Sequence, residues 1–325
     1  MRKTLFATAA IAALAFAGAA SAQSVSVNGS YLHNASGSPQ VSNVNLNNIT
    51  VGSSLTGGAT SVGTSLNVSA ADNITVPGRV HQLNTTGQTA TLNANSVTAG
   101  RDTVFNATAG GNAASFSADD TLSISGLRQS NDVGQTANLT IESTSISGDL
   151  EGGATAFGNS TFGETLYGDI GVSNGVQFHQ SNVGAQRANV TVNGGNSFAR
   201  ETDLRAIAVG GIMEFDSAGT GTYAIEQANG RGSDYFGLNG YAGSSQTANL
   251  TVNGGSNFNG ATSLAASALG GVVNLSGTGN IAASVTTQNH NSAQTSNLSI
   301  MGSSFGSLIG SAQSIGTSVS INTRP

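Results

Sequence analysis

Apolar and polar residues alternate with period two over short stretches along most of this chain. In one stretch Gln246, Ala248, Leu250 and Val252 share a parity, against Thr247, Asn249, Thr251 and Asn253. Gln135, Ala137, Leu139 and Ile141 repeat the pattern against Thr136, Asn138, Thr140 and Glu142. So do Gln186, Ala188, Val190 and Val192 against Arg187, Asn189, Thr191 and Asn193. Successive side chains of a strand point to opposite faces, so each stretch predicts a strand with one apolar and one polar face. The leading Gln belongs by parity to the apolar face. A second, shorter strand is predicted just upstream, where Val80, Gln82 and Asn84 share a parity, as do Phe178, Gln180 and Asn182. Turn residues separate the pair: Thr85-Thr86-Gly87, Asp132-Val133-Gly134 and Val183-Gly184-Ala185.

The strands recur. Gln-x-(Ala/Ser)-(Asn/Thr)-(Leu/Val) occurs at Gln40, Gln88, Gln135, Gln186, Gln246 and Gln294, with spacings of 48, 47, 51, 60 and 48 residues. Gln82, Gln129, Gln180 and Gln288 each lie six residues before an anchor, whereas Gln227 lies nineteen before Gln246. An apolar residue leads each upstream strand (Val80, Leu127, Phe178, Ile225), with Thr286 in the last copy. Near-constant spacing is the signature of a repeat architecture in which each unit contacts its neighbours. Stacked at about 4.8 Å, a primary amide can bond its counterpart in the next unit, forming an Asn/Gln ladder. This assigns a structural ladder to Gln82, Gln88, Gln129, Gln135, Gln180, Gln186, Gln227, Gln246, Gln288 and Gln294. The predicted fold is an all-β β-solenoid of about five to six repeats of roughly 48 residues, with two coils per unit or a winding four-strand layer. It forms one domain, 23–325. Gly110-Gly111, Gly152-Gly153, Gly210-Gly211 and Gly270-Gly271 read as punctuation between strands. Similar strands begin and close the array, Ser24 to Asn28 and Ser318 to Asn322, and open ends of this kind invite pairing with another chain.

Composition adds the compartment. Arg2 and Lys3 precede an Ala-rich apolar run, Leu5 to Ala20, and a small-x-small site, Ala20-Ser21-Ala22. This is the pattern of a secretory signal peptide, 1–22, and predicts export to the cell surface or beyond. No later stretch is long and apolar enough to cross a bilayer as a helix. The remaining chain has no Cys, no Lys, and eight arginines against sixteen acids, a net charge of −8. Nucleic acid binding requires clustered cations, which are absent. Three prolines and charged residues at 8% argue against disorder.

Candidate chemistry is sparse. His33, His81, His179 and His290 are the only histidines. His81 and His179 occupy a slot that elsewhere holds Arg128, Glu226 or Thr287, which reads as tolerant surface and not as a metal site. Asp119-Asp120 and Asp149-x-Glu151 read as solvated turn acids, without the ligand spacing of a calcium loop. No nucleophile elbow and no clustered acids appear, so no catalytic residue, metal or cofactor is assigned. A surplus of thirteen residues between Gln227 and Gln246 contains Arg231, Tyr235, Phe236 and Tyr241 in an aromatic-poor chain. Arg and Tyr are favoured interface residues, which makes this a candidate binding loop. The rows of Thr and Asn on the polar face are a second candidate surface, suited to glycans or to ice.

Stacked strand–turn–strand units with regularly placed Gln and Asn, carried by Gln82-x-Asn84-x-x-x-Gln88-x-Ala90 and its copies across about 40 to 300, resemble the curlin-type repeat proteins. Those are secreted bacterial subunits of adhesive amyloid fibres. The Gly-spaced curlin motif is not present, and the period is about twice as long. The chain is similar as well to alphaproteobacterial holdfast-anchoring surface proteins. Both resemblances imply adhesion or matrix building. The expected function is therefore structural and adhesive, non-enzymatic, at the bacterial surface or in the matrix. The expected partners are further copies, other surface or fibre proteins, or polysaccharide. The alternatives are a self-polymerising curli-like subunit and, below it, a polysaccharide-acting enzyme.

Overall fold

The computed structural model describes residues 24–27, 30–34, 38–171, 178–230 and 243–324. The leader 1–22 lies outside these residues, as do Arg231, Tyr235, Phe236 and Tyr241. The described residues form strands and turns, with no helix. Every strand pairing among them is parallel. Equivalent strands of successive repeats are neighbours: Gln135 lies opposite both Gln88 and Gln186, and Gln246 opposite Gln186 and Gln294.

The β-solenoid of five to six repeats expected from the sequence is not what forms. The strands merge into two large parallel sheets, of ten and fourteen strands, the larger curled as a half-barrel. The physical reason is the length of the strands that follow the anchors. Thr103–Ala118, Leu150–Thr165 and Thr202–Ser217 each run for sixteen residues without a break, and Asn257–Gly277 for twenty-one. The Gly-Gly pairs lie inside these strands and do not separate them.

Burial shows how the long strands serve two cores. Phe105, Ala107 and Ala109 point into a first cluster together with Ala90, Leu92, Ala137, Leu139 and Ile141 of the anchor strands. Both groups belong to the larger sheet, which thus folds over its own apolar face. Past residue 110 the parity switches. Ala114, Phe116 and Ala118 enter a second cluster with Val80, Leu122, Ile124 and Leu127 of the smaller sheet. The strand has turned its opposite face inward, and the turn falls where the pairing ladders skip one position. That position is glycine in every copy: Gly63, Gly111, Gly158, Gly210, Gly270 and Gly316. Aromatic side chains stack along the column, with Phe258 ring centroids 5.0 Å from Phe198 and 4.8 Å from Phe305. Contacts of this kind add about 0.5–1.5 kcal/mol each beyond area burial.

Candidate functional site

At the corner between the upstream strand and the anchor strand, one Asn and one Gln from each repeat meet. Asn34 Nδ2 donates to Asn84 Oδ1 at 2.9 Å. Asn84 donates to Asn131, Asn131 to Asn182, Asn182 to Asn229 and Asn229 to Asn289, at 2.8, 2.8, 2.7 and 3.0 Å. This ladder donates toward the C-terminal repeats. The neighbouring Gln ladder donates the other way: Gln135 to Gln88, Gln186 to Gln135, Gln246 to Gln186 and Gln294 to Gln246, at 3.1, 3.0, 2.8 and 2.8 Å.

The opposed directions follow from bonds within each repeat. Asn182 Nδ2 donates to Gln186 Oε1 at 3.0 Å, while Gln186 Nε2 donates back to Asn182 Oδ1 at 3.1 Å. Two amides bonded reciprocally must face in opposite senses, so their aligned dipoles cancel between ladders instead of accumulating along one. The arrangement also uses all the bonding capacity of the pair. Each nitrogen donates once inside the repeat and once to a neighbour, and each oxygen accepts once inside and once from a neighbour. Both residues are fully buried, where an unmet amide would cost about 1–3 kcal/mol.

Gln82, Gln129, Gln180 and Gln227 build a third ladder, with Gln129 donating to Gln82, Gln180 to Gln129 and Gln227 to Gln180 at 2.7, 2.8 and 2.8 Å. The same nitrogens of Gln82, Gln129 and Gln180 reach the carbonyls of Ala113, Ser160 and Ile212, which fastens the smaller sheet to the long strands. Gln288 does not join this ladder. The register sets Gln227 opposite Thr287, and Asn229 opposite Asn289. Asn289 is five residues before Gln294, where Asn182 is four before Gln186. The extra residue falls in the turn, where Asn291 takes a positive φ of 43°. Counting back from Gln294 therefore selects the wrong Gln, and Val285, not Thr286, continues the apolar column of Ile225. Gln288 instead bonds His290 at 2.7 Å. The third ladder stops at Gln227 Oε1, a buried oxygen without a hydrogen-bond partner.

The polar faces of the anchor strands point outward and carry their own ladder. Asn189 donates to Asn138, Asn249 to Asn189 and Asn297 to Asn249, at 2.9, 2.9 and 2.8 Å. Thr140, Thr191, Thr251 and Ser299 form the adjacent column. The result is a regular array of amides and hydroxyls at the strand spacing of about 4.8 Å.

The titratable groups are dispersed. His81, Arg128, His179 and Glu226 share one column of the smaller sheet, with His179 Nδ1 3.5 Å from Glu226 Oε2. Burial, followed by the charges of Arg128 and Arg79, lowers the pKa of His81. Asp149 Oδ1 accepts from the Glu201 amide at 3.2 Å, and Asp102 Oδ1 from the Asp149 amide at 3.1 Å, so these acids fasten turns. Arg205 Nε donates to Asp203 Oδ1 at 3.0 Å on a shallow groove that includes Glu151. Among the described residues no three His, Asp or Glu side chains converge to hold a metal ion.

Asp132 lies beside the ladder corner. Burial pushes its carboxyl up to about 6, against a bond from Ser130 Oγ and the charge of His33, which both favour the ionised form. The folded chain thus holds this proton to a higher pH than the unfolded chain, whose carboxyl titrates near 3.8. Its contribution to stability is complete below pH 3.8 and is lost as pH rises through 6. Asp132→Asn should melt at a higher temperature than the parent at pH 7.5 and at the same temperature at pH 3.5. Equal melting temperatures at both pH values would remove this assignment.

No family model, no curated protein and no solved structure matches the chain.

Proposed function

We propose that the chain is an exported, non-enzymatic structural protein that presents an adhesive face at the cell surface or in the extracellular matrix. The observation that carries this is the outer array of Asn138, Asn189, Asn249 and Asn297 with its flanking Thr column. The inner amides are buried and bond mainly one another, whereas the outer face offers repeated hydroxyls and amides at the strand spacing. Such a face suits extended polar polymers, polysaccharide above all, because ordered donors at fixed spacing meet a chain of hydroxyls without paying to organise loops. The basic start, apolar run and Ala20-Ser21-Ala22 at the N-terminus support export.

The test combines location and binding. Antibody against the chain should label intact cells, and the purified protein should bind immobilised cell-surface polysaccharide. Thr140→Lys with Thr251→Lys, both outward and separated by the strand of Thr191, should weaken that binding about tenfold, or 1.4 kcal/mol, with an unchanged circular dichroism spectrum. Undiminished binding by this variant, or a protein confined inside the cell, would refute the proposal.

A further inference from the structure

We infer that folded copies of this chain stack head to tail, the face carrying residues 281–323 of one copy pairing in parallel with the face carrying residues 25–70 of the next. This goes beyond the adhesive function proposed above, since a single copy suffices to present the outer array.

Charge is the first observation. All sixteen acids lie between Asp72 and Asp234, and from 24 to 71 and from 279 to 323 there is no Asp, Glu, Lys or Arg. Sheet edges are normally protected from pairing by charge, above all by Lys. Here the outermost strands at both ends are uncharged, with Asp72 bonded to Ser24 and Arg324 paired with Asp216 at their margins, and the repeats between them hold most of the charge.

Hydrogen-bond direction is the second. The Asn ladder donates toward the C-terminus, so its last member, Asn289, has a donor left over and its first, Asn34, an acceptor. The Gln ladder runs oppositely, so Gln294 Oε1 can accept once more. Gln40 is in register with Gln88 on the other face. Gln88 Nε2 turns to Asn84 and Thr86, so the bonded ladder begins at Gln88 and the Gln40 amide is available as the donor. Asn289 of one copy meets Asn34 of the next, and Gln40 of the next meets Gln294, donor to acceptor both times.

Side-chain matching is the third. Following the register through the repeats, Ser42 and Ser296 end a column whose interior members are Ala90, Ala137, Ala188 and Ala248. Ser61 and Ser314 end another, of Ala109, Ala156, Ala208 and Ala268. A serine is small enough for the next layer to pack over. Ser314 is exposed and Ser296 half-buried, and they bond each other at 2.9 Å, while Ser61 is buried and donates to the Gln40 carbonyl. Leu308, Val319 and Ile321 are 41%, 46% and 50% exposed. Their columns begin at Leu55, Leu66 and Val68, so stacking covers apolar with apolar.

The absence of native cysteine gives a direct test. Parallel neighbours in register lie about 4.8 Å apart, within the range a disulfide spans. The mature chain carrying both Ser42→Cys and Ser296→Cys should form a series of covalent multimers under mild oxidation. An equimolar mixture of the two single variants should give covalent dimers and nothing longer, and each single variant alone should form no disulfide-linked species. Light scattering of the cysteine-free parent should show mass rising with concentration at constant circular dichroism. A parent that remains monomeric at every concentration overturns the inference. So do single variants that dimerise as readily as their mixture, which would mean face-to-same-face contact or random collision. Neither outcome touches the polysaccharide assay, so the adhesive reading is judged separately.

Discussion

Gly158→Ala should leave the chain unable to reach its native state, or destabilise it by about 4 kcal/mol or more, a size reserved for a few severe mechanisms. A Cβ at this position would sit 2.4 Å from the carbonyl oxygen of Gly210 and 2.4 Å from Oδ1 of Asn182. The first obstacle is backbone in the next strand, which has no rotamer to give. The second is an amide held by bonds to Asn131, Asn229 and Gln186. Relief requires parting the long strands at the bend where they pass from one core to the other, and the amide ladder with them. Gly58→Ala is the matched control, because the nearest atom to its added Cβ is Asn106 O at 3.9 Å. That variant should stay within about 0.5 kcal/mol of the parent. Urea unfolding followed by circular dichroism measures both, and a Gly158→Ala protein as stable as Gly58→Ala would mean the bend is not the close contact described.

The same glycine column shows how far the sequence could be read. The anchor strands were legible because period two, a leading Gln and near-constant spacing all agree from 135 to 141, 186 to 192 and 246 to 252. The long strands were not. A sixteen-residue strand whose inward parity switches midway, as between Ala109 and Ala114, looks in sequence like two short strands around a Gly-Gly break. The glycine that matters is not marked by a pair, since its neighbour is Val62, Phe157 or Ile315 as often as another Gly. Gly152-Gly153, read as equivalent to the other pairs, in fact aligns with Phe105 and Asn106. Without the continuity of those strands the curl of the larger sheet was out of reach, and separate coils were the natural expectation. The corner Asn was visible but undervalued. It sets the register in the last repeat, where a Gln count misassigns Gln288. The outer Thr and Asn rows needed only parity, whereas the direction of their hydrogen bonds, and the opposed sense of the inner ladders, needed coordinates.

The second large effect concerns those ladders. Asn131→Leu should cost about 4 kcal/mol, far beyond the volume it changes. Asn131 Nδ2 lies within bonding distance of Asn182 Oδ1, Gln135 Oε1 and Val133 O, at 2.8, 3.0 and 2.9 Å. Its Oδ1 accepts from Asn84 at 2.8 Å and from Gln135 at 3.0 Å. Leucine is close in size but removes both functions at once, leaving donors on Asn84 and Gln135 and acceptors on Asn182 and Gln135 buried and unmet. At about 1–3 kcal/mol for each stranded group, with some relaxation toward other partners, the sum reaches that figure. Asn189→Ala deletes two bonds of the same kind, to Asn138 and from Asn249, each 2.9 Å, but on the outer face, where water replaces the partners. It should cost no more than about 1 kcal/mol. The contrast separates two explanations for repeated amides. If stacking of amides were itself the main source of stability, the inner and outer substitutions would cost alike. If burial sets the penalty, as the complete pairing of Asn182 with Gln186 implies, the inner substitution will be several times worse. Asn131→Asp sharpens the comparison, because it keeps the acceptor, loses the donors and adds a charge in a site that excludes water. Its destabilisation should be greatest at neutral pH and shrink as the carboxyl is protonated in acid, a pH dependence that Asn131→Leu will not show.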